Sequence, residues 1–228
     1  MSNLFFRNPL IWDWILPIAL LAVIAPFSGA VDVAISTYFF DPATREFSTH
    51  PFFRFFFVWG LLPGQVFGIG AILLFMLSFV FKQFKKWRKP ALQVILTIAI
   101  GAGFITHTLL KENWKRPRPR QVEQFAGTEA FRPFYQPDFV VNGNFKSFPS
   151  GHSAMGFCFF ALAVQGRRLH NRPLFWGGLA LALTLGISLS LTRIAQGGHF
   201  FTDTLASACL MWVIAATSDW LLYPSEEG

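Results

Sequence analysis

The sequence predicts an all-α, polytopic membrane protein, a bundle of six transmembrane helices with an interfacial segment after the first, in a single membrane-embedded domain over residues 1–228. Three observations carry this. Hydrophobic residues make up 53% of the chain and charged residues 14%, where a soluble domain has about 25% charged. Uncharged apolar runs recur at lengths close to the about 20 residues that cross a bilayer. The basic residues gather in short clusters between those runs instead of spreading over a surface.

The runs follow in order. Ile15–Val31 is uncharged and, with its flanks, long enough to span. No clean cleavage site follows it, so it reads as a retained helix and not a signal peptide. Trp59–Phe81 and Ala91–Leu110 are uncharged, the second holding one histidine, His107. Ser153–Gln165 is short and needs an extended N-terminal end to complete a fourth span. Leu174–Thr192 is clear, and Thr204–Leu222 is interrupted only by Asp219, which reads as interfacial. Between the first two runs, Asp32–Val58 is too aromatic for a plain loop. Tyr38, Phe39 and Phe40 and the run from Phe52 to Phe57 suggest an interfacial helix or hairpin at headgroup level.

Orientation rests on two short links. Lys82–Lys89 (KQFKKWRK) and Gln165–Pro173 (QGRRLHNRP) are basic and contain no acid, so the positive-inside rule places both, and with them both termini, in the cytoplasm. A plain tally that includes Arg7 does not separate the two sides, because the long Lys111–Pro149 segment opposite is basic as well. The formal charge is +7. Because the basic clusters flank apolar runs, the partners it implies are a lipid bilayer and an anion, not nucleic acid. Cys158 and Cys209 both lie inside apolar runs and read as small apolar residues. The sequence does not fix an oligomeric state.

Three clusters border the presumed outer face. At the end of the third run lies KENWKRPRP, from Lys111 to Pro119. Arg118 offers a planar fork for a phosphate and Lys111 a point charge; the plainer alternative is a basic helix flank, the reading given to Lys115, Arg116 and Arg120. The second cluster, FPSGHS from Phe148 to Ser153, puts Ser150 and Gly151 at a helix N-terminus. Free N–H groups and the helix dipole attract an anion there, and His152 sits beside it; alternatively Ser150 is an ordinary N-cap. The third, RIAQGGHFFTD from Arg193 to Asp203, holds His199 and Asp203 four residues apart. On a helix these share a face, so the carboxylate can accept the Nδ1 proton and leave Nε2 free as a nucleophile; a polar helix start is the alternative. His50, His107 and His170 lack metal-ligand spacing, and neither a metal nor another cofactor is expected. His107 reads as a polar contact within the helix bundle.

Taken together, fixed cations, a helix N-terminal nest, two histidines and a partnering carboxylate are what phosphoryl transfer requires. The patterns K-x6-R-P (Lys111 to Pro119), P-S-G-H (Pro149 to His152) and R-x5-H-x3-D (Arg193 to Asp203) resemble the signature of the type 2 phosphatidic acid phosphatases, in that family's order, over about residues 90–220. One departure is Thr192, where the family usually has serine before the arginine. The resemblance implies a six-helix fold and a metal-independent phosphatase acting on a membrane lipid. It implies His199 as nucleophile, Asp203 as its orienting partner and His152 as general acid, with Lys111, Arg118, Ser150, Gly151 and Arg193 binding phosphate.

Trp114, the Arg116–Pro119 run, Gln121, Phe125, Gly127, Phe131 and Pro133 further resemble the bacterial lipid A 1-phosphatase-like branch. That places the enzyme in a bacterial inner membrane with its active site facing the periplasm, and makes lipid A 1-phosphate the first expectation. Phosphatidylglycerol phosphate, undecaprenyl pyrophosphate and phosphatidate follow, with a lipid phosphotransferase as a related alternative. The long segment from Arg120 to Phe148 is expected to form a lid or a wall for the substrate headgroup. The rival from another class, an anion transporter, would place charges deep in several spans, and the proposed spans hold almost none.

Overall fold

A computed structural model describes residues 9–140 and 143–224. The chain is mostly helical. Helix α1 (Pro9–Ile24) passes through a 3-10 turn (Ala25–Phe27) into α2 (Ser28–Tyr38). A two-stranded hairpin follows, β1 (Phe40–Asp41) pairing antiparallel with β2 (Glu46–Phe47). Then come α3 (Pro51–Trp59), α4 (Leu62–Val80), α5 (Arg88–Leu96), a π-helical continuation (Thr97–Leu110), α6 (Gly151–Phe157), α7 (Phe160–Arg168), α8 (Arg172–Ala195) and α9 (Phe201–Leu222).

Five helical stretches are long and apolar enough to cross a membrane: Ile11–Tyr38, Pro51–Val80, Lys82–Asn113, Arg172–Ala195 and Phe201–Leu222. Their outward faces carry large apolar side chains, among them Ile18, Val23, Ile69, Phe79 and Trp176, each more than half exposed. So much apolar surface is stable only against lipid, and the protein is a multi-pass membrane protein.

The fourth predicted span, Ser153–Gln165, is not one membrane-length helix. The winding breaks between Phe157 and Phe160, leaving α6 and α7 of 7 and 9 residues. Ala154, Phe157, Cys158, Phe159, Phe160, Ala161, Ala163 and Val164 are all buried. The pair is thus the core of the bundle, packed mainly on α8 and α9. Small residues allow this. A Cβ on Gly156 would lie 2.7 Å from the Gly186 Cα of α8, and one on Gly178 would lie 2.5 Å from the Ala163 N. Backbones approach closely where glycine removes the side chain between them.

The aromatic segment, expected as an interfacial helix or hairpin, does contain a hairpin, but a shorter one than its length suggested. Its first residues, Asp32–Tyr38, continue the first helix, and its last, Pro51–Val58, belong to α3. Only the hairpin and its flanks stand apart. Phe40 and Phe47 of the hairpin pack with Phe125 of the long later segment, with ring centroids 5.3–5.4 Å apart. The aromatic content there serves packing between two non-helical stretches. Arg7, counted toward the cytoplasmic side, lies outside the described residues.

At the end of the bundle away from the three motif clusters, two arginines are paired with carboxylates. Arg167 reaches Asp13 with two bonds of 2.7 and 2.5 Å, and Trp212 donates to the same carboxylate at 3.0 Å. Arg168 binds Asp219 at 2.9 Å with its guanidinium over the Tyr223 ring, so the acid expected at the interface is half of an ion pair. Ionisable groups within membrane helices need such partners.

Gly156→Val should force α6 off α8 and lower stability by about 1–3 kcal/mol, as overpacking does. Gly177→Ala, where an added Cβ meets nothing within 4 Å, should cause no loss. Unfolding midpoints in detergent would compare the two.

Candidate active site

The three motif clusters converge at one end of the bundle, and the local chain geometry places each side chain. Helix α9 starts at Phe201, and Asp203 in its first turn reaches back to accept the Phe200 N–H at 2.8 Å, as a capping carboxylate does. The same Oδ2 accepts the Ser147 hydroxyl at 2.6 Å. His199 lies just before the helix, in the link that Gly197 (φ +61°) turns back from α8.

His199 is almost fully buried. Its Nδ1 lies 2.5 Å from the Ser147 carbonyl oxygen and 3.7 Å from Asp203 Oδ2. The expected hydrogen bond from His199 to Asp203 is therefore replaced by one to the backbone. The reason is that the carboxylate is saturated by Ser147, Phe200 and Arg116. The chemical consequence is the same. A carbonyl oxygen can only accept, so Nδ1 carries the proton and Nε2 keeps its lone pair. Burial pushes the imidazole pKa down to about 3, so the ring is neutral at working pH. Asp203, at 3.7 Å, is placed to favour positive charge on the ring if Nε2 forms a bond.

Arg116, read as a flank charge, is instead fully buried at the centre of the network. It donates to Asp203 at 2.5 Å, to Asp32 of α2 at 2.7 Å, to the Thr202 hydroxyl at 3.0 Å and to the Arg132 carbonyl at 2.8 Å. Asp32 also accepts from the Thr202 N–H at 2.8 Å and the Thr202 hydroxyl at 2.6 Å. The sequence held a hint in each case: a carboxylate at the end of an apolar run, and an arginine followed by proline. Only the fold could pair them across 84 residues.

The phosphate-binding candidates surround this core. Ser150 caps α6: its hydroxyl accepts from the Ser153 N–H and from the Ser153 hydroxyl, so the plain N-cap reading holds, and the anion nest of the helix start remains beside it. A Cβ on Gly151 would lie 2.5 Å from His107 Nε2, so the third-helix histidine abuts the nest. The wide winding of the 14-residue π-helical stretch, a form often found at functional sites, carries His107 to that position. His152 stacks on Phe57, with ring centroids 5.1 Å apart and planes 9° apart, and the Arg193 guanidinium lies 4.9 Å from the same ring. Burial first, and then the positive charges of Arg193 and Lys111, push the His152 pKa down to about 4, so the ring is neutral until an anion arrives.

Two atoms stand out. Arg118 Nε and Arg193 Nε are buried with no hydrogen-bond partner. Arg193 uses Nη1 on Gln196 at 2.9 Å, and Arg118 is held by its backbone N–H on Gln121 at 2.8 Å. A buried charged donor without an acceptor is costly, and both of these belong to residues expected to bind phosphate; Arg168 Nη2, at the other end of the bundle, is likewise buried without a partner among the described residues. Among the described residues, no group of three or more His, Cys, Asp or Glu side chains is placed to hold a metal ion.

A buried imidazole with a free Nε2, within electrostatic reach of Arg193 and Lys111, is an arrangement a membrane phosphatase would use. Residues 90–225 match the PAP2 superfamily, and the chain belongs to it. It is 30% identical over 203 residues, 85% of each chain, to the lipid A 4′-phosphatase of Francisella tularensis subsp. novicida. To the lipid A 4′-phosphatase of Rhizobium leguminosarum it is 25% identical, covering 86% of this chain and 87% of that one. Phosphatidylglycerophosphatase B of Haemophilus influenzae is 26% identical over 61% of this chain and 68% of its own length. No solved structure matches significantly.

Removing Asp32 alone (Asp32→Ala) should lower stability by about 3–5 kcal/mol, because it strands part of a buried guanidinium. Arg116→Lys should not restore activity, since an ammonium cannot span Asp32 and Asp203 as a fork does. Unfolding in detergent and phosphate release would be measured on each variant.

Proposed function

We propose that the protein removes a phosphate from the lipid A headgroup at the outer face of a bacterial inner membrane, through a phosphohistidine intermediate and without a metal. The observation that carries the reading is the free Nε2 of His199 beside two unsatisfied arginine donors. A lipid, and not a soluble ester, is favoured by an apolar cleft of about 270 Å³ behind the second motif, with Ile18, Leu21, Leu110, Phe148 and Leu210 in its walls. The sequence reading leaned to the 1-phosphate. Both lipid A relatives are named as 4′-phosphatases, and the proposal moves to the 4′ position on that ground. Phosphatidylglycerol phosphate is the second reading, favoured by the Haemophilus relative.

In the proposed sequence the phosphate settles among Lys111, Arg118, Arg193 and the N–H groups at the start of α6. Its negative charge favours a protonated His152. The His199 Nε2 lone pair attacks phosphorus in line, and the bond to the lipid oxygen breaks as His152 gives that oxygen its proton. Asp203 and the Ser147 carbonyl stabilise the imidazolium. Water then attacks phosphorus, passes a proton to His152, and releases inorganic phosphate and neutral His199. If a second lipid's hydroxyl took the place of water, the same site would be a phosphotransferase.

His199→Ala should lose activity on every substrate. His152→Ala should lose about 10²–10⁴-fold more on a lipid monophosphate than on p-nitrophenyl phosphate, whose leaving group needs no acid. Equal losses would remove His152 from the acid role. Activity should survive EDTA; a strict demand for a divalent ion would refute the mechanism. Mass spectrometry should find lipid A stripped at 4′. Loss at the 1 position would restore the earlier expectation, and untouched lipid A with consumed phosphatidylglycerol phosphate would favour the second reading. For orientation, a single cysteine at Gln136 should react with an impermeant reagent on spheroplasts, and one at Gln83 should not.

A further inference from the structure

Beside the phosphate site opens a second cavity of about 590 Å³, within the size range of small-molecule sites. Three separate stretches build it. Arg45 and Glu46 come from the hairpin, Arg54 from α3, and Arg120 from the segment after the first motif, with Gln196 closing the side toward α8. Three guanidinium groups thus meet one carboxylate. None of the three donates a side-chain hydrogen bond or forms an ion pair among the described residues, although Glu46 is in the same wall.

The cavity shares a wall with the reacting site. Gln196 accepts from Arg193 Nη1 at 2.9 Å, and the Arg120 N–H donates to the Gly197 carbonyl at 3.2 Å, two residues before His199. Arg120 also lies within electrostatic reach of Arg118; burial first, and then this repulsion, lower the Arg118 pKa. Like charges gathered around an open cavity attract an anion. The space exceeds that of one phosphate and suits a phosphate with the sugar that bears it.

We propose that this cavity is a second anion subsite, which takes one phosphate of a lipid headgroup while another phosphate of the same molecule lies against His199. The preferred substrate class is then a lipid carrying two phosphates. The proposal rests on the lipid A reading and narrows it. It also gives the hairpin and Arg120, outside the three motifs, a part in selectivity.

The test is binding to the His199→Ala protein in detergent, which cannot turn substrate over. The probes are lipid A with both phosphates and its two monophosphorylated forms. The bisphosphate should bind about tenfold tighter than either monophosphate, the scale of one charge-assisted phosphate contact. Adding Arg45→Ala and Arg54→Ala should erase that advantage and leave binding of the better monophosphate within about twofold, which also certifies the fold. Equal weakening on all three lipids would reduce the arginines to general membrane attraction and overturn the subsite. So would the absence of any bisphosphate advantage before the arginines are changed. If inorganic phosphate binds in a manner that depends on Arg45 and Arg54 while the bisphosphate shows no advantage over the monophosphates, the cavity takes free phosphate and the proposal falls. If the active enzyme hydrolyses no form of lipid A while the binding advantage persists, the subsite stands and the lipid A assignment fails.

Discussion

The architecture of the site depends on one guanidinium. Arg116 is closed off from solvent between Asp32 and Asp203, with the Phe200 ring 4.5 Å and the Phe131 ring 5.6 Å from its centre. Burying these ions costs several kcal/mol each, and the attraction between them roughly offsets that cost. The network therefore contributes position more than stability. Asp32 belongs to the first membrane helix, Arg116 follows the third, and Asp203 starts the last. A single fork fixes the register of all three, and Asp203 in turn holds Ser147, whose carbonyl sets the tautomer of His199.

The arrangement also divides charge between two tasks. Asp203 is committed to Arg116, so it does not neutralise the cations that face the phosphate. Among the described residues, Lys111, Arg118 and Arg193 have no carboxylate within ion-pair distance, which leaves their field free for the proposed phosphate. Two carboxylates around one arginine leave a net negative charge behind His199, where an imidazolium would form. The cations lie in front, where phosphate oxygens would lie. At the other end of the bundle, Asp13 and Asp219 are spent on Arg167 and Arg168.

The legibility of this design in the sequence follows the range of the interactions. Apolar runs and the local motifs were readable because their physics is local: a helix needs its own length of apolar residues, and His199 and Asp203 are one turn apart. What failed was long-range. Nothing in the neighbourhood of Arg116 announces a partner at position 32, and a basic stretch beside a membrane helix reads as a flank. The fourth span looked too short because it is not lipid-facing; α6 and α7 lie among other helices and need only small and apolar residues. The hydrogen bond from His199 to Ser147 was beyond reach since backbone carbonyls carry no residue signature. Within the aromatic stretch Asp32–Val58, the packing of Phe40 and Phe47 on Phe125 depends on a segment about 80 residues away.

The two cavities give the motif loop its sense. Phe148 and Pro149 wall the apolar cleft, and Ser150 and Gly151 directly after them begin α6, the proposed anion nest. On the other side of the nest, Arg193 leads through Gln196 to the basic cavity. Within a few residues the surroundings change from hydrocarbon-like to cationic. An amphiphile is sorted by that gradient before any chemistry: acyl chains gain by staying in the cleft, and anionic groups gain by leaving it. A soluble phosphate ester meets only the second half of the gradient and is held by the cations alone. The same cations would thus act on both kinds of substrate, while the apolar cleft adds binding for the lipid only, binding that can be used to hold its phosphorus in line with His199.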